Sequence, residues 1–419
     1  MMRALFAAIG GLRNHITYMD VVGNNIANVN TAGFKASRIT FSDMMSQTII
    51  GASAPTADRG GTNPTQIGLG MTLRGIDVMH TQGALQATGK LTDFAVQGNG
   101  FFILKDGART FFTRDGAFDI AVSGELVNPA NGFKVQGWRA DSSGIVDSNT
   151  PLESIVIPFG QSIAAQESTK INFVGNFDAR LADTDTFSST IDVYDSLGNA
   201  HPVSLTFTKN GANTWNVTAN STSAEIDTVT FDIPSVVFDS NGSLTTPDPS
   251  TSPPTTLEMT VTFVTGLQQN SPIVTDIDMT AVTQFATEGQ LSMIFNNGFS
   301  AGSLISFSVG PAGDITGIFS NGTNRTIGQL AMALFTNPAG LQRSGANNFE
   351  PTANSGVAIV GTPGTGGRGS IGSGVLEGSN TDLAREFTNV VMAQRGFQAS
   401  SRIISTADEM LEDLVNLAR

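Results

Sequence analysis

NTDLAREFTNVVMAQRGFQASSRIISTADEMLEDLVNLAR, the last forty residues from Asn380 to Arg419, decides the fold because this stretch requires a second helix. From its fourth residue onward every seventh residue is apolar: Leu383, Val390, Phe397, Ile404, Leu411 and Ala418. Phe387 and Val415 occupy the companion heptad position, which Gln394, Ser401 and Asp408 leave polar in the middle. A seam of this kind is buried against another helix, so the segment predicts a helical partner.

The amino end carries a fuller version of the same pattern. One heptad position holds Met2, Ile9, Ile16 and Gly23, and the other holds Leu5, Leu12, Met19 and Ile26. All sixteen prolines lie between Pro55 and Pro363, so both ends lack the residue that breaks helices. We therefore expect two terminal helices that pack on each other and on copies from other chains.

Composition points to a β-rich body between these helices. The chain has 419 residues, which suggests two or three domains, and its 46 glycines favour short strands joined by tight turns. The predicted fold is mainly β, with one β-rich module inserted in another and the terminal helices paired as a coiled-coil-like core. Cysteine is absent, which removes disulfides and thiolate chemistry, and no apolar run is long enough to span a bilayer.

The net charge of −14 is concentrated in the middle of the chain. Residues 145 to 285 hold three basic and sixteen acidic residues, a net charge of −13, so this part predicts an acidic, solvated module. Nucleic-acid binding needs a basic face and is disfavoured. The first twelve residues superficially resemble a signal peptide, but the heptad continues to Ile26, past any plausible cleavage site.

Turn residues recur at short intervals after the amino helix. Asp106-Gly107, Asp115-Gly116, Ser123-Gly124 and Asn131-Gly132 predict successive β-hairpins. In the acidic module Val203, Leu205 and Phe207 alternate with polar residues before a turn at Asn210-Gly211. We expect the segment from Ser37 to Gly70 to be a loosely structured connector.

The run from Asn24 to Lys35, NNIANVNTAGFK, resembles the amino-terminal motif of the bacterial flagellar rod, hook and hook-associated axial proteins. Residues 91–102, 112–118 and 391–402 resemble further blocks of that family, and residues 329–341 resemble its hook members more than its smaller rod members. Thr381 departs from the valine that is more frequent in the family. The positions that carry the two terminal motifs are Asn24, Asn25, Asn28, Thr31, Gly33, Phe34, Lys35, Gln394, Arg395 and Phe397.

The patterns and the resemblance together give an expected domain order. It is an amino-terminal helical arm (1–33), a connector (34–71), the first part of a β domain (72–147), an inserted acidic outer β domain (148–282), the second part of the first β domain (283–360), a Gly-rich connector (361–379) and a carboxyl-terminal helical arm (380–419).

The resemblance implies a structural subunit of a curved, flexible tube that transmits torque from the flagellar rod to the filament. Its implied partners are copies of the chain itself, rod proteins, the hook cap, the hook–filament junction proteins and the flagellar type III export apparatus. It implies an extracellular location on the flagellum, without a cleaved signal peptide and without membrane insertion. The polymer core interface is expected at Met2, Leu5, Ile9, Leu12, Ile16, Met19, Ile26, Leu383, Phe387, Val390, Phe397, Ile404, Leu411 and Val415.

Catalytic patterns are missing from the sequence. The Gly-rich stretch Gly361 to Gly374 lacks the Lys-Ser/Thr pair of a phosphate loop, and no zinc-protease, nucleophile-elbow or dinucleotide motif is present. We therefore expect no enzyme, no cofactor and no metal. Two alternatives stay open: a distal rod protein of the same family, and a secreted adhesin or enzyme with coiled-coil ends.

Overall fold

The computed structural model describes residues 2–56, 59–141, 144–160, 162–247, 256–264 and 272–417. Two long α-helices are present in these ranges, one at each end of the chain. Helix α1 spans Met2–Ala27 and helix α2 spans Leu383–Leu417. The Asp382 carboxylate caps α2 by accepting hydrogen bonds from the backbone N–H groups of Ala384 and Arg385, at 3.0 and 3.2 Å. The terminal helices and the mainly β fold predicted from the sequence are confirmed.

The chain divides into two compact units. Unit 1 comprises residues 1–157, 307–316 and 326–419, and unit 2 comprises residues 158–306 and 317–325. The division between residues 157 and 158 lies outside the strands, and the other three fall within Gly302–Val309, Asp314–Phe319 and Asn324–Leu330.

Unit 1 contains both helices and many short strands, together with one 3₁₀ turn at Pro338–Gly340. Its core includes Trp138 and the aromatic side chains of Phe101, Phe112, Phe335 and Phe349. The strands that lie wholly within it are Ser37–Asp43, Ser46–Ile50, Thr65–Gly68, Met71–Val78, Leu85–Ala87, Phe94–Gln97, Phe101–Asp106, Arg109–Thr113, Asp119–Ile120, Leu126–Val127, Lys134–Arg139, Glu153–Ser154, Met332–Leu334, Gln342–Gly345, Asn348–Glu350, Ile359–Gly361, Ser370–Ser373 and Val375–Glu377.

Two strands near the carboxyl end join segments that are distant in sequence. Ser370–Ser373 pairs antiparallel with Phe94–Gln97, and Val375–Glu377 pairs antiparallel with Leu85–Ala87. The Gly-rich segment that precedes them is also tied to the sheet region, because the Gly369 N–H donates to the Asn99 carbonyl at 2.7 Å. The Gly33 N–H, shortly after α1, donates to the Glu377 carbonyl at 2.7 Å, so the start of α2 lies near the end of α1.

The segment after α1 differs from the expected loose connector. Ser37–Asp43 pairs antiparallel with Met71–Val78, and Ser46–Ile50 pairs with Thr65–Gly68. The expectation of a loose connector failed because both strands of the second hairpin are exposed on both faces. A strand with no buried face needs no alternation of apolar and polar residues, so the sequence gives no strand signal there.

Most of the turn pairs behave as the sequence predicts. Gly107, Gly124 and Gly132 all have positive φ, as does Gly211 in unit 2, and each lies between two adjacent strands. Asp115-Gly116 is the exception: Gly116 is required for close packing, since a Cβ there would lie 1.7 Å from the Phe94 carbonyl oxygen. That pair joins no two hydrogen-bonded strands among the described residues.

Unit 2 is built on two five-stranded sheets that share one core. Phe177, Phe207 and Trp215 lie at its centre, with Phe177 and Phe207 in edge-to-face contact at 5.0 Å between ring centroids. In the first sheet the order of the strands is Ile226–Phe231, Leu257–Phe263, Ile273–Phe285, Lys170–Asp178 and Gln290–Asn296. In the second sheet the order is Thr186–Tyr194, Ala200–Lys209, Thr214–Ser221, Ser235–Phe238 and Leu244–Thr246. The short strand Ser162–Ile163 pairs with Gly302–Val309. Val203, Leu205 and Phe207 are fully buried, as their alternation predicts.

Candidate assembly interface and its anchor

The two terminal helices pack through small residues. A Cβ on Gly11 would lie 3.1 Å from the Ser400 hydroxyl oxygen, and a Cβ on Gly396 would lie 2.4 Å from the His15 ring. Ala393 and Ala407 are buried on the same face of α2. Because these residues are small, the two backbones approach closely along the contact.

The most buried positions of α1, which contact both α2 and the strands that follow α1, lie beside the predicted seam. They are Ala8, Gly11, Val22 and Asn25, and each precedes a predicted heptad position by one residue. One residue corresponds to a rotation of about 100° around an α-helix. The seam residues of α1 are thus offset by one residue from its most buried positions, and their place in a polymer core interface stays a prediction.

The larger apolar side chains are left exposed or half-buried in the single chain. Met2, Ile16, Leu383, Phe387 and Val415 are exposed, whereas nine other seam residues are half-buried. The half-buried residues are Leu5, Ile9, Leu12, Met19, Ile26, Val390, Phe397, Ile404 and Leu411. Further exposed apolar side chains, Phe6, Val391, Met392, Ile403 and Met410, widen this surface. The helix pair thus has an apolar outer surface that the single chain does not cover.

The Asn-rich motif after α1 forms a tightly bonded link to the strands. The Asn25 side chain exchanges two hydrogen bonds with the Ser37 backbone, accepting from its N–H at 2.9 Å and donating to its carbonyl at 2.8 Å. Asn28 donates to the Asn24 carbonyl at 2.9 Å, and Thr31 donates to the Asn28 side-chain oxygen at 3.1 Å. The bond to Asn24 satisfies one of the carbonyl groups at the helix end, and the others tie this segment to Ser37 and to itself.

The next motif residues are fixed by close packing. Gly33 has φ +68°, and a Cβ on it would lie 2.5 Å from the backbone nitrogen of Asp115. Phe34 is buried, and the Arg343 guanidinium lies over its ring at 5.0 Å. Glycine is required at this position for both its conformation and its space.

A buried ion cluster anchors the motif. The ammonium of Lys35 lies 2.6 Å from one carboxylate oxygen of Glu377, and the guanidinium of Arg114 lies 3.3 Å from the other. The same carboxylate accepts the Gly83 N–H at 2.9 Å, and the Lys35 ammonium also donates to the Thr81 carbonyl at 2.8 Å. The side chains of Lys35 and Glu377 are fully buried, so solvent screens this pair little.

Burial dominates the electrostatics of this cluster. It lowers the pKa of Lys35 from its ordinary value, while the Glu377 carboxylate acts in the opposite direction. The pKa of Arg114 is lowered by the same cause, again against the effect of Glu377. Glu377 is therefore the group that keeps both cations charged inside the unit.

Asn380 connects the anchor to the start of α2. Its side-chain oxygen accepts the Ala36 N–H at 2.7 Å, and its amide donates to the Met79 carbonyl at 2.7 Å. Asn347 adds a bond to the Ala32 carbonyl at 2.8 Å. Sequence reasoning missed Glu377, Asn380, Arg343 and Asn347, since nothing in their local sequence distinguishes them from surface polar residues.

The motif residues on α2 have a different setting. Gln394 and Arg395 are exposed and Phe397 is half-buried, on the outer part of the helix pair. The role assigned to them by resemblance stays a prediction.

The histidines and carboxylates do not form a metal centre in the described part of the chain, where no group of three or more His, Cys, Asp or Glu residues has suitable geometry. His15 on α1 lies against Gly396 on α2. His201 is buried in unit 2, 3.3 Å from Asp195 and 3.1 Å from the Ser223 hydroxyl. Within the same described ranges, neither helix is long and apolar enough to cross a membrane.

Four family models match stretches that together cover about two thirds of the chain. Residues 5–35 match the model described as flagella basal body rod protein, and residues 95–177 match the D1 domain of flagellar hook protein FlgE/F/G. Residues 162–299 match the flagellar basal body protein FlaE D2 domain, and residues 373–417 match the flagellar basal body rod FlgEFG protein C-terminal model.

Individual proteins extend this similarity over the full length. The chain is 42% identical to the flagellar hook protein FlgE of Borreliella burgdorferi and 39% identical to that of Treponema pallidum, in each case over 100% of both chains. The crystal structure of Helicobacter pylori flagellar hook protein FlgE2 has a similar fold, with a TM-score of 0.51 and 14% identity over 68% of this chain and 98% of that one. On this evidence, the chain belongs to the flagellar hook protein FlgE family.

Proposed function

We propose that this member of the hook protein family polymerises through the outer surface of its helix pair. The observation that carries the proposal is the uncovered apolar surface, on which Phe6 and Phe387 are 64% and 54% exposed. Contiguous exposed apolar area on a soluble chain marks an interaction surface. The occupant that fits it is a second copy, because both helices continue the heptad pattern that a helical neighbour would bury.

The contact between copies is head-to-tail. A head-to-tail contact whose rotation does not close generates an open helical polymer, so repeated contacts of this kind produce a tube. The terminal helices then form the tube core at the fourteen seam residues named above. The acidic segment from about 148 to 282 is the part that we expect at the solvent-facing surface, where its charge costs least.

Bending follows from the different contacts that the helix surface and the solvent-facing acidic segment make between copies. The apolar helix surface resists dissociation, because each copy buries its seam against neighbours. Polar contacts between the outer parts exchange readily with water and contribute little each, so they can change as the tube bends. The function proposed is a flexible coupling that passes torque from rod to filament.

The neighbours of the tube follow from the same role. We propose rod proteins at one end, the hook cap and the hook–filament junction proteins at the other, and export through the flagellar type III apparatus to an extracellular position without a cleaved signal peptide. We assign no catalytic activity, cofactor or metal to the chain. The two full-length relatives named above favour the hook over the distal rod.

The test is electron microscopy of purified protein at raised salt, comparing the native chain with Ile16→Asp and Ile16→Leu. We expect short curved tubes from the native chain and from Ile16→Leu. Ile16→Asp should give none, because it buries an unpaired charge at a cost of several kcal/mol per subunit. Circular dichroism of each monomer checks that the fold is intact. Normal tubes from Ile16→Asp would show that the α1 seam is not an intersubunit contact.

A further inference from the structure

The anchor region holds more positive than negative charge. Lys35, Arg114 and Arg343 lie together there, while Glu377 contacts the first two. In the part of the chain that the structure describes, no carboxylate lies within ion-pair distance of Arg343, whose pKa is lowered by burial. Lys35 and Arg114 are buried and share the single carboxylate of Glu377, so an additional negative group would stabilise these two cations.

A pocket of about 320 Å³ opens beside Arg114. Its walls include Arg114, His80, Asn99, Gly100 and Thr336. The volume is large compared with the roughly 30 Å³ that one water molecule occupies in the liquid, so a small ligand fits.

Arg114 brings an unused donor to this pocket. The side chain is almost fully buried, with a residue exposure of 2%. Its Nη1 donates to Glu377 and its Nη2 donates to the Gly98 carbonyl at 2.7 Å, but among the described residues its Nε has no hydrogen-bond partner. A buried donor left without a partner loses free energy that a ligand could restore.

His80 supplies a second unsatisfied group. It packs against the rings of Phe101 and Phe349 at 5.5 and 5.4 Å between centroids, and within the described chain neither ring nitrogen makes a hydrogen bond of normal geometry. Its pKa is lowered to about 4, first by burial and then by the charges of Lys35, Arg114 and Arg343, while the Pro338 carbonyl acts weakly in the opposite direction. Burial and the three nearby cations therefore both favour the neutral ring.

We propose that this pocket binds a small oxyanion, phosphate or carboxylate, through Arg114 Nε and the His80 ring. Arginine is suited to this role, because its planar fork matches oxyanions and is always charged. Asn99 and Thr336 add neutral donors at the wall. The ligand is either a free anion or the carboxylate of a neighbouring copy, and the two share the same chemistry.

Anion binding and protonation of His80 are coupled. A bound anion favours the imidazolium, so it raises the pKa of His80 from about 4. By linkage, protonation of His80 strengthens anion binding as the pH falls. A rise of one pKa unit corresponds to a tenfold difference in anion affinity between the two forms of the ring.

The test follows the three histidines of the monomer by NMR. Imidazole signals of His15, His80 and His201 are titrated in sodium chloride, and again at the same ionic strength in inorganic phosphate or in acetate. We expect phosphate to raise the pKa of His80 by about one unit or more, while His15 and His201 move no more than in chloride. An equal response of all three histidines would overturn the proposal.

Two variants locate the anion. Arg114→Lys keeps a positive charge beside Glu377 but removes Nε, and should weaken phosphate binding about tenfold or more. Arg109→Lys, on an exposed arginine paired with Glu350, is the matched control and should leave binding unchanged. If Arg114→Lys does not fold, Thr336→Val replaces it and should also weaken binding. Full phosphate affinity in the folded pocket variant would contradict the assigned site.

Equilibrium dialysis with labelled phosphate separates the two sources of the anion. If the polymer takes up as much phosphate as the monomer, the ligand of the pocket is a free oxyanion. If the polymer excludes phosphate, the ligand is a neighbour's carboxylate. The NMR measurement uses the monomer alone, so its outcome does not depend on polymerisation.

Discussion

Replacing Glu377 by glutamine tests the buried anchor most directly. The variant keeps the shape of the side chain but removes the negative charge that lies 2.6 Å from Lys35 and 3.3 Å from Arg114. Removing one partner of a fully buried pair costs about 3–5 kcal/mol, because the remaining cations stay desolvated. Domains are commonly stable by only about 5–15 kcal/mol, so unit 1 should come close to unfolding.

Glu125→Gln is the matched control. Glu125 also pairs with a lysine, Lys134, at 2.7 Å, but the two side chains are 21% and 48% exposed. An ion pair of that kind contributes at most about 1 kcal/mol. The two substitutions make the same chemical change at nearly the same distance from a lysine, so a difference between them measures the effect of burial together with the second cation, Arg114.

Urea unfolding followed by tryptophan fluorescence measures both variants. Trp138 is buried in unit 1 and Trp215 in unit 2, so a Trp215→Phe background makes the signal report on unit 1. With a slope of about 2 kcal/mol per molar urea, Glu377→Gln should lower the midpoint by about 2 M. A loss no greater than that of Glu125→Gln would refute the reasoning.

The pH dependence provides an independent check on the same variant. The pKa of Lys35 is lowered in the folded chain, so unfolding takes up a proton between that pKa and 10.5, and stability rises with pH across this window. Without Glu377 the folded pKa falls further and the window extends to lower pH. The destabilisation caused by Glu377→Gln should therefore shrink between pH 7 and pH 10, and a constant difference would contradict the assignment.

Three further substitutions test the helices and their link. Phe387→Asp places a charge on the exposed surface of α2, so electron micrographs should show no tubes while the melting temperature of the monomer is unchanged. Normal tube formation would show that this surface is not a contact between copies. Gly396→Ala brings a Cβ to 2.4 Å from the His15 ring, so overpacking should lower the free energy of unfolding by about 1–3 kcal/mol, measured as a lower melting temperature. An unchanged melting temperature would show that the two helices can move apart without loss of stability. Gly33→Ala meets the Asp115 backbone at 2.5 Å with φ +68° and should destabilise unit 1 by about 1–3 kcal/mol in urea; neutral behaviour would argue against the strained link.

The sequence by itself determined the elements whose signal is local. Both terminal helices follow from heptad periodicity and from the absence of proline, and the hairpin turns follow from Asp-Gly, Ser-Gly and Asn-Gly pairs that permit positive φ. The alternation of Val203, Leu205 and Phe207 with polar residues correctly predicted a strand with one buried face. These features depend on residues that are close in the chain, and one sequence contains that information.

Tertiary structure alone decided which surfaces meet. Large apolar residues such as Ile9 and Ile16 dominate the heptad, yet α1 contacts α2 at Gly11 and nearby residues. The distance between the two helix backbones cannot be read from the sequence of either helix alone. Lys35 and Glu377 are separated by 342 residues and become a buried pair only when strands from the two ends of the chain lie side by side. Coulomb and desolvation energies depend on that final distance and burial, which no local pattern specifies.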